Sequence, residues 1–272
     1  MPVSKKDDYG DLVIRKFEMS QLSHDKIVVC LGRRGSGKSY LIKDILYNFR
    51  KIPYGIVCSG TEHVSPFYTN HMPSGFIHSD VDIDMLDDIF GHQDQRLVNC
   101  QKPFSVNQAM LLIFDDVAHS AKKWSKDPRF AELFLNGRHR NIMFIMALQS
   151  PLMIECHLRE QIDAVFIFYI PQETVRKKVW ENYASVIPNL KLFTRLMNHI
   201  CKDNTCMVIL SKAATKWQDS VFYYKSPETP NFKFGCHSYW DLGRQIESAS
   251  SSNRMPPAPI RSPNRANVIT LE

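Results

Sequence analysis

A glycine-rich segment near the N-terminus has the residue types and spacing that bind phosphate groups. Gly32 through Ser39 fit the pattern G-x-x-x-x-G-K-[ST]. In such a loop the backbone N–H groups turn toward phosphate oxygens, and the positive end of the following helix adds to the attraction. Lys38 can then reach the β- and γ-phosphates, and the Ser39 hydroxyl can coordinate Mg²⁺. The predicted nucleotide-binding residues are Gly32, Arg33, Arg34, Gly35, Ser36, Gly37, Lys38, Ser39 and Tyr40.

A second stretch could supply carboxylates to the same site. The apolar run 109–114 ends in Asp115 and Asp116, as a buried strand does when it presents acids to Mg²⁺ and water. Asp115 would bind the ion, and Asp116 would polarise the attacking water. An apolar run ending in two acids is common at ordinary turns. Its position downstream of the phosphate loop favours the catalytic interpretation.

A polar residue also follows the next apolar run, Ile142 to Leu148. Gln149 stands at the tip of this predicted strand, where an amide could sense the γ-phosphate and position water. The alternative is that Gln149 caps the next turn. The sequence leaves both interpretations open.

These residues must be positioned by a sheet, and the chain alternates strand and helix patterns. Apolar runs such as Lys26 to Leu31 are typical of strands that are covered on both faces, and helical periodicity follows the phosphate loop to about Arg50. The pattern predicts an α/β fold with a mainly parallel central sheet and helices on both faces. The nucleotide is expected at the carboxyl ends of the strands.

Composition sets the domain organisation. The 272 residues are 44% hydrophobic with a net charge of +6, which is typical of a globular protein and compatible with a polyanionic partner. We predict an N-terminal extension with an edge strand (1–24), an ATPase core (25–242) and a disordered tail rich in Ser, Pro and Arg (243–272).

No apolar run approaches about 18 residues, so no membrane anchor is expected. Scattered, odd-numbered cysteines favour a reducing compartment.

Four segments taken together resemble a known family. They are Gly-Arg-Arg-Gly-Ser-Gly-Lys-Ser, Leu-Leu-Ile-Phe-Asp-Asp, Asn-Gly-Arg-His-Arg-Asn-Ile and Ala-Leu-Gln-Ser. Their order resembles the genome-packaging ATPases of large nucleocytoplasmic DNA viruses, the poxvirus-type branch of the FtsK/HerA-type translocases. That group belongs to the RecA-like P-loop NTPases. The resemblance covers roughly residues 25–225.

The resemblance implies a ring-forming motor that hydrolyses ATP with Mg²⁺ and drives double-stranded DNA into a preformed capsid. Lys38 and Ser39 would hold phosphate and ion, and Asp116 and Gln149 would hold the water. Arg138 would act as an arginine finger on the neighbouring subunit's ATP, with Arg140 as the second candidate. A structural role for Arg138, pairing with an acid or capping a helix, stays open.

The resemblance also implies partners and a location. These are sequence-independent duplex DNA, further copies of the chain, and capsid vertex or portal proteins, with assembly in the host cytoplasm and association with the virion. Lys122, Lys123 and Lys126, or the arginines of the tail, could contact DNA phosphates. Asp116 stands where the wider class has Glu, so its shorter side chain must act on the water from about one methylene further back. The alternative functions are a P-loop ATPase or nucleotide kinase that acts on another substrate, and an ATP-dependent assembly scaffold.

Overall fold

The fold is organised on one β-sheet. The computed structural model describes residues 13–98, 100–102, 104–211 and 214–252. Its strands are β1 (Arg15–Lys16), β2 (Ile27–Leu31), β3 (Tyr54–Ser59), β4 (Ile77–His78), β5 (Met110–Asp115), β6 (Ile142–Leu148), β7 (Ala164–Ile167), β8 (Cys206–Leu210) and β9 (Val221–Tyr224). The strand order is β1-β9-β8-β7-β2-β6-β5-β3-β4. Neighbours are parallel except at β7–β8 and β8–β9, so β8 runs against the other strands.

Helices cover both faces of this sheet. Those of the described residues are α1 (Lys38–Asn48), α2 (Met85–Val98), α3 (Ala121–Trp124), α4 (Pro128–Asn136), α5 (Cys156–Arg159), α6 (Glu173–Tyr183), α7 (Leu190–Ile200) and α8 (His237–Ser252). Apolar residues of α1 and α8 share one core with Val28 and Cys30 of β2. Residues of α2 to α7 share the other core with Ile27, Val29 and Leu31. Both faces of β2 are buried, as its unbroken apolar sequence predicts.

The predicted α/β architecture with a mainly parallel sheet is therefore confirmed. Some element boundaries differ from the predictions. The spacing of apolar residues from Val81 to Val98 predicts a helix over that range, but α2 begins at Met85. Asp82 Oδ1 accepts the N–H of Asp84 at 3.1 Å and forms a turn ahead of the helix. The basic composition of Lys122 to Asp127 predicts a loop, but the segment overlaps α3, whose Trp124 is buried and donates to Ser120 Oγ at 3.0 Å.

The chain ends also differ from the predicted organisation. From residue 13 onward, where the structure describes the chain, the expected edge strand is the short β1, and Phe17 beyond it is fully buried, with its N–H donating to Tyr223 O at 2.8 Å. The prediction of disorder from residue 243 is wrong for 243–252, because α8 continues to Ser252. Its Gly243 packs against Pro73, a contact that composition cannot show. The remainder of the predicted tail, 253–272, lies outside the described residues.

No helix in the described part combines the length and the apolarity needed to cross a bilayer.

Candidate functional site

The predicted site residues other than the two arginine-finger candidates converge on the carboxyl edge of the parallel strands. The phosphate loop follows β2, Asp115 ends β5, and Gln149 follows β6, which lies between those two strands. A pocket of about 280 Å³ opens at this edge. The predicted residues that line it are Arg34, Gly35, Gly37, Lys38, Ser39, Tyr40, Asp115, Asp116 and Gln149. Strand order thus brings together segments that are far apart in the sequence.

The phosphate loop has the backbone conformation that its glycines predict. Gly37, the N-cap residue of α1, has φ 104°, in the left-handed region that side chains disfavour. Lys38 begins the helix, and its Nζ donates to Gly32 O at 2.7 Å and Arg33 O at 3.1 Å. The loop therefore curves around its lysine, with the N-terminus of α1 facing the pocket.

Burial and charge act against each other between Lys38 and Asp115. Burial lowers the pKa of Lys38, while the charges of Asp115 and Asp116 oppose that shift. Burial likewise raises the pKa of Asp115, and the Tyr68 hydroxyl and the charge of Lys38 oppose it. Each group thus favours the ionised form of the other. A cation and an anion face one pocket, which suits a ligand that carries both phosphate and metal.

Asp116 and Gln149 are in direct contact. Gln149 Nε2 donates to Asp116 Oδ1 at 2.7 Å. Asp116 has φ 54°, a left-handed conformation that costs a non-glycine residue free energy and occurs preferentially at functional sites. Gly60 makes this turn possible, because a Cβ there would lie 2.5 Å from Asp116 O. The sequence-predicted pair of acid and amide is therefore assembled as one unit.

The structure adds residues that sequence reasoning missed. Thr61 and Ser65, which follow β3, line the pocket beside the acids. Asn204 lines it from the turn before β8, where its side chain packs against the α-carbon of Gly37. Asn204 has φ 61°, so the turn itself requires a residue that tolerates the left-handed region. These residues sit in polar loops, and a polar loop residue gives no signal of its own in one sequence.

A further missed contact reaches Asp115 from the loop after β3. Tyr68, which is 1% exposed, donates its hydroxyl to Asp115 Oδ2 at 2.8 Å. The carboxylate of Glu62 accepts hydrogen bonds from the backbone N–H groups of Phe67, Tyr68 and Thr69. The sequence predicts only a polar, Pro-containing loop here, from Gly60 through Gly75.

Arg138 lies away from the pocket. It precedes β6 and pairs with Asp163 Oδ1 at 2.6 Å, ahead of β7, so it stands at the amino edge of the sheet. Since β6 has seven residues, about 20 Å of strand separates it from the phosphate loop of the same chain. Its side chain is 48% exposed. Arg138 is therefore accessible to another molecule but remote from its own pocket.

Arg140, the second candidate, is engaged within the chain. Its guanidinium pairs with Asp94 at 3.0 Å and Glu132 at 2.8 Å, and it lies over the ring of Phe90. Its side chain is only 19% exposed. This network connects α4 to α2 and suits a structural role better than a mobile finger.

Comparison with known proteins places these features in context. The family model described as Poxvirus A32 protein matches residues 14–225. Protein 088R of Invertebrate iridescent virus 3 is 36% identical over 225 residues, covering 80% of this chain and 84% of that protein. Protein L437 of Acanthamoeba polyphaga mimivirus is 30% identical over 244 residues, covering 88% and 85%.

A solved structure shares the fold. The genome packaging NTPase B204 from Sulfolobus turreted icosahedral virus 2, in complex with ATP-gammaS, matches with a TM-score of 0.50 and 18% identity. The match covers 76% of this chain and 100% of that one. The expected P-loop fold is thereby confirmed. The family match extends over most of the chain and includes every predicted site residue. The chain belongs to the Poxvirus A32 protein family, as the order of its motifs indicated.

Proposed function

We propose that this protein is a viral genome-packaging ATPase, whose hydrolysis of ATP translocates double-stranded DNA into the capsid. The observation that carries the proposal is the Asp116–Gln149 pair, which lines one pocket with Lys38 and Ser39. A nucleotide-binding loop alone would support binding. A carboxylate held by an amide beside that loop supports activation of water.

The residues present fit a magnesium nucleotide. Ser39 and Asp115, an oxygen-only donor set, line the same pocket as Lys38. Within the described residues there is no cluster of three or more His, Cys, Asp or Glu side chains that could hold a metal by itself. This pattern suits Mg²⁺, which is usually held by one or two protein oxygens together with substrate phosphates and waters. When bound, Mg²⁺ would neutralise charge on the phosphates; Ser39 and Asp115 would hold it.

The chain's own groups divide the reaction between them. The loop N–H groups and Lys38 bind and orient the phosphates, and Asp116 accepts the proton of the attacking water while Gln149 orients it. Arg138 is proposed to stabilise the transferring phosphoryl charge in the pocket of a neighbouring copy, which requires a ring of subunits. Its exposed position at the opposite edge of the sheet supports an action between chains.

DNA contact is proposed to be electrostatic and independent of sequence. Lys122, Lys123 and Lys126 are exposed on and after α3, which follows the two acids in the chain. Docking to capsid vertex or portal proteins and action at the virus assembly site of infected cells complete the proposal.

The test is ATP hydrolysis by the purified full chain, with and without duplex DNA, across a salt series. Stimulation by DNA that falls steeply with salt is expected for phosphate contacts. Lys38→Ala should abolish nucleotide binding, whereas Asp116→Asn should retain binding and lose turnover. A nucleotide kinase would instead transfer phosphate to a nucleoside monophosphate. An assembly scaffold would keep its function in the Asp116→Asn variant. Phosphate transfer to a nucleoside monophosphate, or retained function in Asp116→Asn, would contradict the proposed DNA-translocating ATPase.

A further inference from the structure

We propose that Tyr68 is a positioning residue for Asp115, and that Glu62 acts through it by holding the loop that carries it. The hydroxyl of Tyr68 would fix the orientation of the carboxylate that holds the nucleotide-bound Mg²⁺. The inference rests on the proposed function, because it concerns the metal-binding carboxylate of that site.

The contact itself constrains Asp115. The backbone of Asp115 is held by its place in the sheet, opposite Ser59 of β3 and Ala147 of β6. The sheet leaves the side-chain torsions free, and the Tyr68 hydroxyl at 2.8 Å from Oδ2 restrains them. A carboxylate has about four lone-pair positions, so one donor leaves the others available to a hydrated cation.

Tyr68 is in turn held by Glu62, which is 9% exposed. The Glu62 carboxylate accepts the N–H of Tyr68 at 3.0 Å and both the N–H and the hydroxyl of Thr69, at 2.9 and 3.0 Å. The ring of Tyr68 also packs edge-on against Phe67, with ring centres 4.8 Å apart. The carboxylate therefore replaces the regular hydrogen bonds that a loop lacks and sets the position of the phenol.

The location of its acceptor separates Tyr68 from the other buried tyrosines of the described residues, since Tyr224 also donates to a carboxylate, but to that of Asp44 in α1. Tyr239 donates to Gly55 O and Tyr183 to Pro151 O, each at 2.7 Å, so both satisfy backbone carbonyl groups. Tyr68 donates to a carboxylate in the nucleotide pocket instead, from a loop whose Thr61 and Ser65 line that pocket. In other proteins, removal of a group that hydrogen-bonds a metal ligand commonly lowers the metal affinity by about 10- to 100-fold.

The experiment separates metal binding from nucleotide binding in the full chain. Tyr68→Phe is titrated with Mn²⁺, followed by electron paramagnetic resonance, in the presence of a non-hydrolysable ATP analogue. We expect about 10-fold weaker Mn²⁺ binding and a similar rise in the Mg²⁺ concentration for half-maximal turnover. Affinity for a fluorescent ATP analogue in EDTA should stay within about twofold, because the phosphate loop is untouched.

Tyr239→Phe is the matched control, since it also removes a buried tyrosine hydroxyl. That hydroxyl donates to Gly55 O of β3 and does not contact Asp115. It should leave Mn²⁺ binding unchanged. Glu62→Gln should weaken Mn²⁺ binding in the same direction and add little on top of Tyr68→Phe, because both changes act through one contact. It also carries the test if Tyr68→Phe does not fold.

Unchanged Mn²⁺ binding in Tyr68→Phe, or independent effects of the two changes, would overturn the proposal. Absence of hydrolysis in the wild-type chain would contradict the ATPase function instead, and the Mn²⁺ titration would still report on Tyr68.

Discussion

At the scale of single residues, the site depends on a few side chains whose contacts define separate tasks. In the proposed mechanism Lys38 would bind phosphate, Asp115 would hold the metal ion, and Asp116 with Gln149 would activate water. Gln149 Nε2 donates to Asp116 Oδ1 at 2.7 Å and so orients the carboxylate. This matters because an aspartate side chain is shorter than the glutamate of the wider class and must reach the same water. Nucleotide affinity and turnover should therefore be separable by substitution.

Gln149→Ala tests this separation. Loss of the amide frees Asp116 and removes a group that positions water, so turnover should fall about 100-fold. Affinity for ATP should change less than about threefold, since the phosphate loop and Lys38 are unchanged. Steady-state hydrolysis and a fluorescent-nucleotide titration measure the two quantities. Gln245→Ala, an exposed glutamine of α8, should alter neither. Equal loss of binding and turnover would place Gln149 among the nucleotide-binding residues instead.

At the scale of elements, strand ends and helix packing hold these residues in register. The end of β3 lies against the turn after β5, with the N–H of Gly60 donating to Asp115 O at 3.2 Å. On the other side, α1 is tied to the sheet by Tyr224 of β9, whose hydroxyl donates to the buried Asp44. Changes at these junctions should reach the site without touching a ligand.

Gly60→Ala should disturb the site through the backbone. The added Cβ would meet Asp116 O at 2.5 Å, so the turn that carries Asp116 must shift. A displacement of about 1 Å can cost about 100-fold in rate, and we expect a loss of that order in turnover. Gly91→Ala in α2 is the control, because its Cβ meets nothing within 4 Å. It should keep full turnover and gain about 0.5–1 kcal/mol in the free energy of unfolding. Normal turnover in Gly60→Ala would show that the turn tolerates displacement.

Asp44→Asn should change how the stability of the fold depends on pH. Burial raises the pKa of Asp44, and the hydrogen bonds from Tyr224 and Asn48 only partly oppose it. The folded chain thus binds the proton of the Asp44 carboxyl group more tightly than the unfolded chain. Protonated Asp44 therefore contributes to the stability of the fold at low pH, and this contribution is lost as the pH rises through the folded pKa. We expect Asp44→Asn to raise Tm by about 2–4 °C near pH 8, with the gap closing toward about pH 4. Thermal unfolding across that range measures it, and a gap that widens on acidification would contradict the assignment.

At the scale of the whole molecule, the sheet separates the two edges that the proposed mechanism uses. The phosphate loop and both aspartates occupy the carboxyl edge, whereas Arg138 and Asp163 occupy the amino edge. A single chain cannot bring Arg138 to its own pocket across about 20 Å of strand. Head-to-tail contact between copies would unite the two edges, and hydrolysis would then depend on assembly.

Mixed rings test this arrangement. Arg138→Ala should abolish turnover while leaving the nucleotide affinity of the monomer within about twofold, because the pocket residues are unchanged. Mixing it with an Asp116→Asn chain should restore part of the activity, since each subunit supplies what its neighbour lacks. Arg15→Ala, which breaks a comparable surface pair with Asp219 at 2.5 Å, should keep full turnover. Lack of rescue in the mixture would remove the assignment between subunits.

Much of the fold could be predicted from the sequence, because it depends on the chemistry of neighbouring residues in the chain. The apolar run of β6 was predicted with its observed bounds, since a strand buried on both faces has a continuous apolar signature. The phosphate loop was recognisable because only glycines permit its turn. The start of α2 and the end of α8 were missed, because a local acid and a distant contact with Pro73 decide them.

What the sequence alone determined was which residue types the pocket contains: the loop around Lys38, the two acids and Gln149, each marked by residue type beside an apolar run. What only the tertiary structure decided was which groups meet. Strand order places Gln149 against Asp116 and Tyr68 against Asp115, and it sends Arg138 to the far edge. The reason is physical: a residue's type limits what it can do locally, whereas contacts between distant segments depend on how the strands are ordered in the sheet.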